Sequence, residues 1–386
     1  MTCVVQFMPW AGLKQACTVG PVTFWPFDAM AAEKVQDGAA KKHLSTYFAC
    51  HADQRGAPVK TVTVVSNGAV DFREPSEAEF RATRAACDSM IFSVIYPNSA
   101  NAVENKNSTM GPPSADKFQL ITQYFTPGKD DIAIRAGSLM SGGWKLGEVR
   151  FSQPWSLGGF FGSVDEKVLS ALSRTFDPAI NADARDRIHR SLEWFRLAHT
   201  EVDEVSPLSK VVMMATAFEV LLEVPNTPNK AMWIAERIEK QSRCDDSTTE
   251  TRELSLKGKK ESVTFSKAAW WAWDFYKSRN AVVHGDEVKP QSLKFTAPDV
   301  DWLTHLIVAD LLYGECVIWE LDRLNCLDAE VDELIKSVNA IADKDPKGLP
   351  RPAAVRFLYD LQAVHRALGW MNPLPKPRGC VGWGEP

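Results

Sequence analysis

One short stretch of this 386-residue chain carries side chains that could act on a phosphodiester: Tyr276, Arg279, Asn280 and His284, followed at once by Gly285. Histidine exchanges protons near neutral pH and can serve as general base or acid. Arginine stays protonated and forks onto phosphate oxygens. Asparagine can orient a phosphate or the guanidinium, but it exchanges no proton at neutral pH. RNA brings its own nucleophile, the 2′-OH. Cleavage then needs a base for that proton, an acid for the leaving 5′ oxygen, and positive charge at the transition state. Such a set calls for no metal and no cofactor, and no His, Cys, Asp and Glu cluster stands at ligand spacing. One histidine can hardly be base and acid at once. A homodimer with two such segments facing each other is therefore expected.

These residues must sit on a helix for the set to converge. Successive helical residues are about 100° apart, so Asn280 and His284 share a face and Tyr276 lies one turn behind Asn280. Arg279 and His284 lie about 140° apart, and only the long arginine stem could bring them together. A second reading stands beside the catalytic one: Arg279 and His284 cap the helix, where cations gain a few tenths to about 1 kcal/mol from the terminal carbonyls.

The elements that would position the site are helical. From about residue 183, apolar residues recur with helical period: Ile188, Leu192, Phe195, Ala198 and Val202. Ser206-Pro207 opens a second helix, with serine as N-cap and proline in the first turn. Its stripe runs through Leu208, Val211, Val212, Ala215, Phe218 and Leu222, with Glu219 beside it, and Pro225 ends it. A third helix spans about 230–240, and a polar loop follows over 242–262. The motif helix begins near Ser266, carries Trp270, Trp271, Trp273, Phe275 and Tyr276, and stops at Gly285, which takes the left-handed conformation cheaply. A long helix over about 299–324 and an amphipathic one over 328–342 come last. Short connections favour antiparallel neighbours, hence a bundle. The tryptophans and the three helical histidines, His189, His199 and His305, fit core or surface positions better than a binding platform.

The first 165 residues are patterned differently. Val22 to Trp25, Lys60 to Val65, Phe118 to Phe125, Asp131 to Arg135 and Trp144 to Phe151 suit strands. Asn67-Gly68 suggests a hairpin turn into residues 69–72. Ser76 and Glu79 form a capping box that opens a helix. Residues 97–116, rich in Asn, Ser, Pro and Gly, suggest a long exposed loop, and His43 and His51 suggest surface histidines. The fold class expected is α+β: a strand-rich mixed domain over 1–165, an all-α antiparallel bundle over 180–325, and a helical extension with a basic, Pro/Gly-rich tail over 326–386. Residues 344–386 hold seven Lys or Arg against three acids, on a chain whose net charge is -5. That overall charge argues against indiscriminate coating of nucleic acid. With eight scattered cysteines, no apolar run of membrane-spanning length and no leader pattern, a cytoplasmic protein with no membrane partner is expected.

The helix-ending Arg279-Asn280-x-x-x-His284-Gly285, with aromatics before it, resembles the HEPN superfamily, whose Arg-x(4 to 6)-His motif sits at this place. Phe218-Glu219-Val220-Leu221-Leu222 resembles the family's recurrent Glu followed by Leu-Leu. The wording Ser278 to Gly285 is most similar to the ApeA-like HEPN group of bacterial anti-phage and toxin-like proteins. The resemblance covers roughly residues 180–325. It implies a HEPN-like bundle, dimerisation across the motif helix and metal-independent endoribonuclease activity in anti-phage defence or as a toxin. RNA would be the substrate, Arg279, His284 and Asn280 the catalytic residues, and Glu219 and Tyr276 their support. The N-terminal domain would then take a phage or antitoxin protein. Other members keep the motif without cleaving, as nucleotide- or RNA-binding, sensor and assembly modules, and that alternative stays open.

Overall fold

The structure, a computed structural model, describes residues 3–327 apart from 36–37, 69–71, 105–112, 137–138, 154–159, 163, 202–204, 242–248, 257–258 and 290–304. It is an α+β fold, with a strand-rich N-terminal part and helices beyond it.

The N-terminal strands are β1 (Cys3–Met8), β2 (Ala11–Leu13), β3 (Cys17–Val19), β4 (Val22–Pro26), β5 (His51–Ala52), β6 (Thr63–Asn67), β7 (Ile121–Phe125), β8 (Asp131–Ala136), β9 (Leu139–Lys145), β10 (Phe151–Ser152) and β11 (Phe160–Gly162). Seven of them form one antiparallel sheet in the order β3-β4-β6-β1-β7-β8-β9. Side chains alternate across it as the pleat requires. Phe7, Val64 and Ile121 face one core, shared with Met30 of α1 (Phe27–Glu33) and Leu44, Tyr47 and Phe48 of α2 (Gly38–Phe48). Met8, Phe24 and Val65 face the other, shared with α3 (Glu77–Glu104). That second core continues without a break into the helices α4 (Glu166–Arg174), α5 (Ala182–Ala198), α6 (Pro207–Leu221), α7 (Lys230–Gln241), α8 (Lys267–His284) and α9 (His305–Arg323). Fully burying each Phe, Leu or Val of this core contributes roughly 1.5–3 kcal/mol. No described helix is long and apolar enough to cross a membrane.

The caps expected for α3 and α6 are present, and Ser266 caps α8. Ser76 and Glu79 exchange hydrogen bonds, Ser206 Oγ accepts from the Ser209 amide at 3.1 Å, and Ser266 Oγ accepts from that of Ala269 at 3.3 Å. Several expectations fail. Residues 97–104 continue α3 instead of forming a loop, with Pro97 inside the helix. Buried Tyr96 and Ser99 fasten that stretch to α9, so tertiary packing overrides the weak local propensity. The turn expected from Asn67-Gly68 into residues 69–72 falls on 69–71, outside the described residues; β6 itself has β4 on one side and β1 on the other. The polar loop of 242–262 contains most of an antiparallel hairpin, β12 (Thr249–Leu256) with β13 (Lys259–Ser266). Leu254 and Phe265 anchor it on Trp270, and its polar residues form the solvent face. His43 and His51 are buried, not on the surface. His51 lies among Phe7, Trp10, Tyr47 and Phe151, and that burial pushes its pKa down to about 4. The strand expected over 144–151 begins earlier, at Leu139, and ends at Lys145. Val202, Trp302, the 328–342 helix and the basic tail lie outside the described residues.

A buried polar network ties the helices. Arg187 of α5 binds Glu320 of α9 at 2.6 Å, and Arg196 binds Asp88 of α3 at 2.5 Å. His199, just past α5, places Nε2 3.1 Å from either oxygen of Asp310 and Nδ1 2.7 Å from the Phe195 carbonyl. Ser99 Oγ donates to the same Asp310 carboxylate at 2.7 Å. Burial opposes the charged imidazole, but the Asp310 carboxylate and the hydrogen bonds outweigh it and hold the His199 pKa above its ordinary value.

Candidate functional site at the end of the motif helix

Helix α8 is held at both ends. At its start, Glu239 of α7 accepts hydrogen bonds from the Ser266 amide at 2.9 Å and hydroxyl at 2.5 Å. Its buried face, Ala268, Ala269, Trp271, Ala272, Phe275 and Tyr276, packs on α6, α7 and α9. Trp271 stacks on Phe275 with centroids 4.8 Å apart, and its indole N–H donates to His305 Nδ1 at 2.8 Å. Trp270, Trp271 and His305 thus belong to the packing, as do His189 and His199. At its end, Gly285 has φ 78°. The Gly285 amide donates to the Val282 carbonyl at 3.2 Å and that of Asp286 to the Ala281 carbonyl at 2.9 Å. This is the paired closure by which a left-handed glycine finishes a helix.

Within that frame the last two turns hold a charged cluster. Glu219 of α6 is its centre. Its Oε1 accepts from the Tyr276 hydroxyl at 2.6 Å and lies 3.3 Å from an Arg279 terminal nitrogen. Its Oε2 accepts from Lys230 Nζ, the first residue of α7, at 2.6 Å. Arg279 also donates to Asn280 Oδ1 at 3.1 Å, and its guanidinium lies 5.3 Å from the centroid of the Tyr276 ring. Burial, with the Glu219 carboxylate beside it, pushes the Tyr276 phenol pKa up, so the phenol is a hydrogen-bond donor and no base. Two cations face one carboxylate, which leaves a formal +1 in a partly buried setting.

The structure brings Arg279, Asn280, Tyr276 and Glu219 together. His284 stands apart: it is exposed, and among the described residues no hydrogen bond, ion pair or ring contact fastens its side chain. Its neighbour Val283 is 51% exposed as well. The capping role does not describe Arg279, whose hydrogen bonds go to side chains while glycine and the next amide close the helix. Lys230 was not foreseen. It lies eleven residues beyond Glu219, across a Pro- and Asn-containing turn, and only the folded turn brings it back. The need of a half-buried carboxylate for cations was the one available signal. No family model, curated protein or solved structure matches the chain.

Proposed function

We propose that this chain is a metal-independent endoribonuclease of the HEPN type, acting in anti-phage defence or as a toxin. The observation that carries the reading is the division of labour at the end of α8. An arginine is oriented by Glu219, Tyr276 and Asn280, and an exposed histidine five residues on has no side-chain partner among the described residues. In this reading His284 takes the 2′-OH proton, the 2′ oxygen attacks phosphorus, and the P–O5′ bond breaks. The His284 of a second copy protonates the departing 5′ oxygen, leaving a 2′,3′-cyclic phosphate and a 5′-hydroxyl. Arg279 neutralises charge on the non-bridging oxygens as it builds up.

A second reading has its own support. Arg279 is already paired with Glu219, which suits a binding or assembly module as well as an enzyme. The two separate in one experiment. Wild type, Arg279→Ala and His284→Ala are expressed at matched level in a bacterial host, and RNA integrity and cut ends are read with and without phage. The nuclease reading expects EDTA-resistant cuts with cyclic or 3′-phosphate ends, lost in both variants. Cuts bearing 5′-phosphates, or variants as toxic or protective as wild type, would sink it in favour of the binding module.

A further inference from the structure

Glu219 offers two oxygens to three donors. The Tyr276 hydroxyl and an Arg279 terminal nitrogen share Oε1, at 2.6 and 3.3 Å, and Lys230 Nζ takes Oε2 at 2.6 Å. An arginine and a carboxylate left to themselves often pair in parallel, two N–H groups on two oxygens. Here the second oxygen is occupied by Lys230, and the pair is held to a single point. Arginine has five N–H groups. In Arg279, Nη1 gives one to Asn280 Oδ1 at 3.1 Å, Nη2 turns toward Glu219, and Nε is buried with no hydrogen-bond partner among the described residues. One N–H on each terminal nitrogen is left over, on a side chain that is 21% exposed. Two N–H groups on neighbouring nitrogens can meet two oxygens of a phosphate.

Lys230 has no other side-chain hydrogen bond or ion pair among the described residues. Without it, the largely buried Glu219 carboxylate would have one oxygen unmatched, and Arg279 would be its one remaining cation among those residues. A carboxylate in that setting draws the guanidinium into a two-point pair. The leftover N–H groups then turn inward, and the formal charge of the cluster falls from +1 to zero.

We propose that Lys230 is a positioning residue for phosphate binding: by holding one oxygen of Glu219 it keeps Arg279 from closing onto that carboxylate and leaves the guanidinium open to an RNA phosphate. This rests on the part of the ribonuclease reading in which Arg279 meets RNA, and not on cleavage.

Binding of a short 2′-O-methyl RNA, which lacks the nucleophile, tests it on the full chain by fluorescence anisotropy. Arg279→Ala gives the level reached without the site. Lys230→Ala should weaken binding at least about tenfold, the scale of a charge-assisted hydrogen bond. The double variant K230A/E219Q should recover, because an amide carries no charge with which to capture the arginine. A lysine that only touched phosphate, or only fastened α6 to α7, would leave the double variant as weak as K230A. Lys277→Ala removes a positive charge two residues before Arg279, from a side chain that lies over Trp273 and not on Glu219. A loss there equal to that of K230A would make net charge the cause and overturn the proposal. Melting curves check folding, and Lys230→Met, which keeps the apolar stem, gives the same comparison if K230A unfolds. Absence of binding in wild type, binding indifferent to Arg279 or to Lys230, or no recovery in K230A/E219Q also overturns it. His284-dependent cuts in unmodified RNA decide the ribonuclease reading separately, since they can be absent while the Lys230 pattern holds and present while it fails.

Discussion

Two polar clusters in the same helical region use the same residue types to opposite ends. Around His199, both imidazole nitrogens are held, by Asp310 and by the Phe195 carbonyl, and Ser99 completes the carboxylate's shell. Around Arg279 the guanidinium is held, but the histidine that follows on the same helix is left in solvent. A doubly anchored imidazole orders the core and cannot hand a proton to anything outside it. An unanchored one contributes little to stability and is available for exchange. The contrast shows that histidine and arginine near a carboxylate do not define a site. The discriminating feature is which group the fold has left unemployed.

Substitutions at the two histidines should widen that contrast most. On the proposed nuclease reading, His284→Ala should lower RNA cleavage by about 10²- to 10⁴-fold while leaving the melting temperature in place. His199→Ala should do the reverse, with activity retained in whatever fraction stays folded. Equal stability losses at the two positions would erase the distinction. Next in size is Asp310→Ala, which removes the acceptor of both Ser99 Oγ and His199 Nε2 and should cost roughly 1–3 kcal/mol for each buried donor left unpaired, read in denaturant unfolding.

The pH dependence of stability sharpens the comparison with a third histidine. The folded-state pKa of His51 is lowered to about 4 by burial, below its unfolded value, so its contribution is lost as pH falls from about 6.5 toward 4. The complete loss is on the order of 3 kcal/mol. For His199 the folded pKa is raised, so its contribution is full below the unfolded value and disappears as pH rises through the folded one. Melting temperature against pH should therefore flatten on the acid side in His51→Phe and on the alkaline side in Asp310→Asn. An unchanged acid limb in His51→Phe would show that other groups dominate there. The smallest effect expected is at Gly285. Alanine meets nothing within 4 Å there, but φ 78° strains it by about 1 kcal/mol, visible as a small drop in melting temperature.

Much of this architecture was legible because local chemistry and tertiary need agree. Ser206 with Pro207, Ser266 and Gly285 mark helix ends by mechanisms that act within four residues, and the stripes of α5 and α6 face the core they predict. The pairing of Glu219 with Arg279 was legible for the same kind of reason: a carboxylate beside a core stripe needs a cation. The β12–β13 hairpin escaped because its outward face is Thr, Glu, Arg and Lys, and few inward residues betray a strand. Residues 97–104 escaped because their helicity is imposed from a distance, by α9. The separation of His284 from the arginine cluster escaped too. Helical geometry placed the two residues about 140° apart, but whether the arginine stem would bridge that angle depended on Glu219, a residue on another helix.

The seating of α3 against α9 also bears on how the chain is made. The Tyr96 ring lies so close to Gly314 that a Cβ there would collide with it, and Phe92 packs edge-on to Tyr313 at 6.0 Å. About two hundred residues separate these partners along the chain. At a ribosome's pace of about 5–20 residues per second, α3 waits roughly 10–40 s for the helix that covers it. Through that interval Phe92, Ile95 and Tyr96 stand without α9, open to a chaperone that recognises apolar helices.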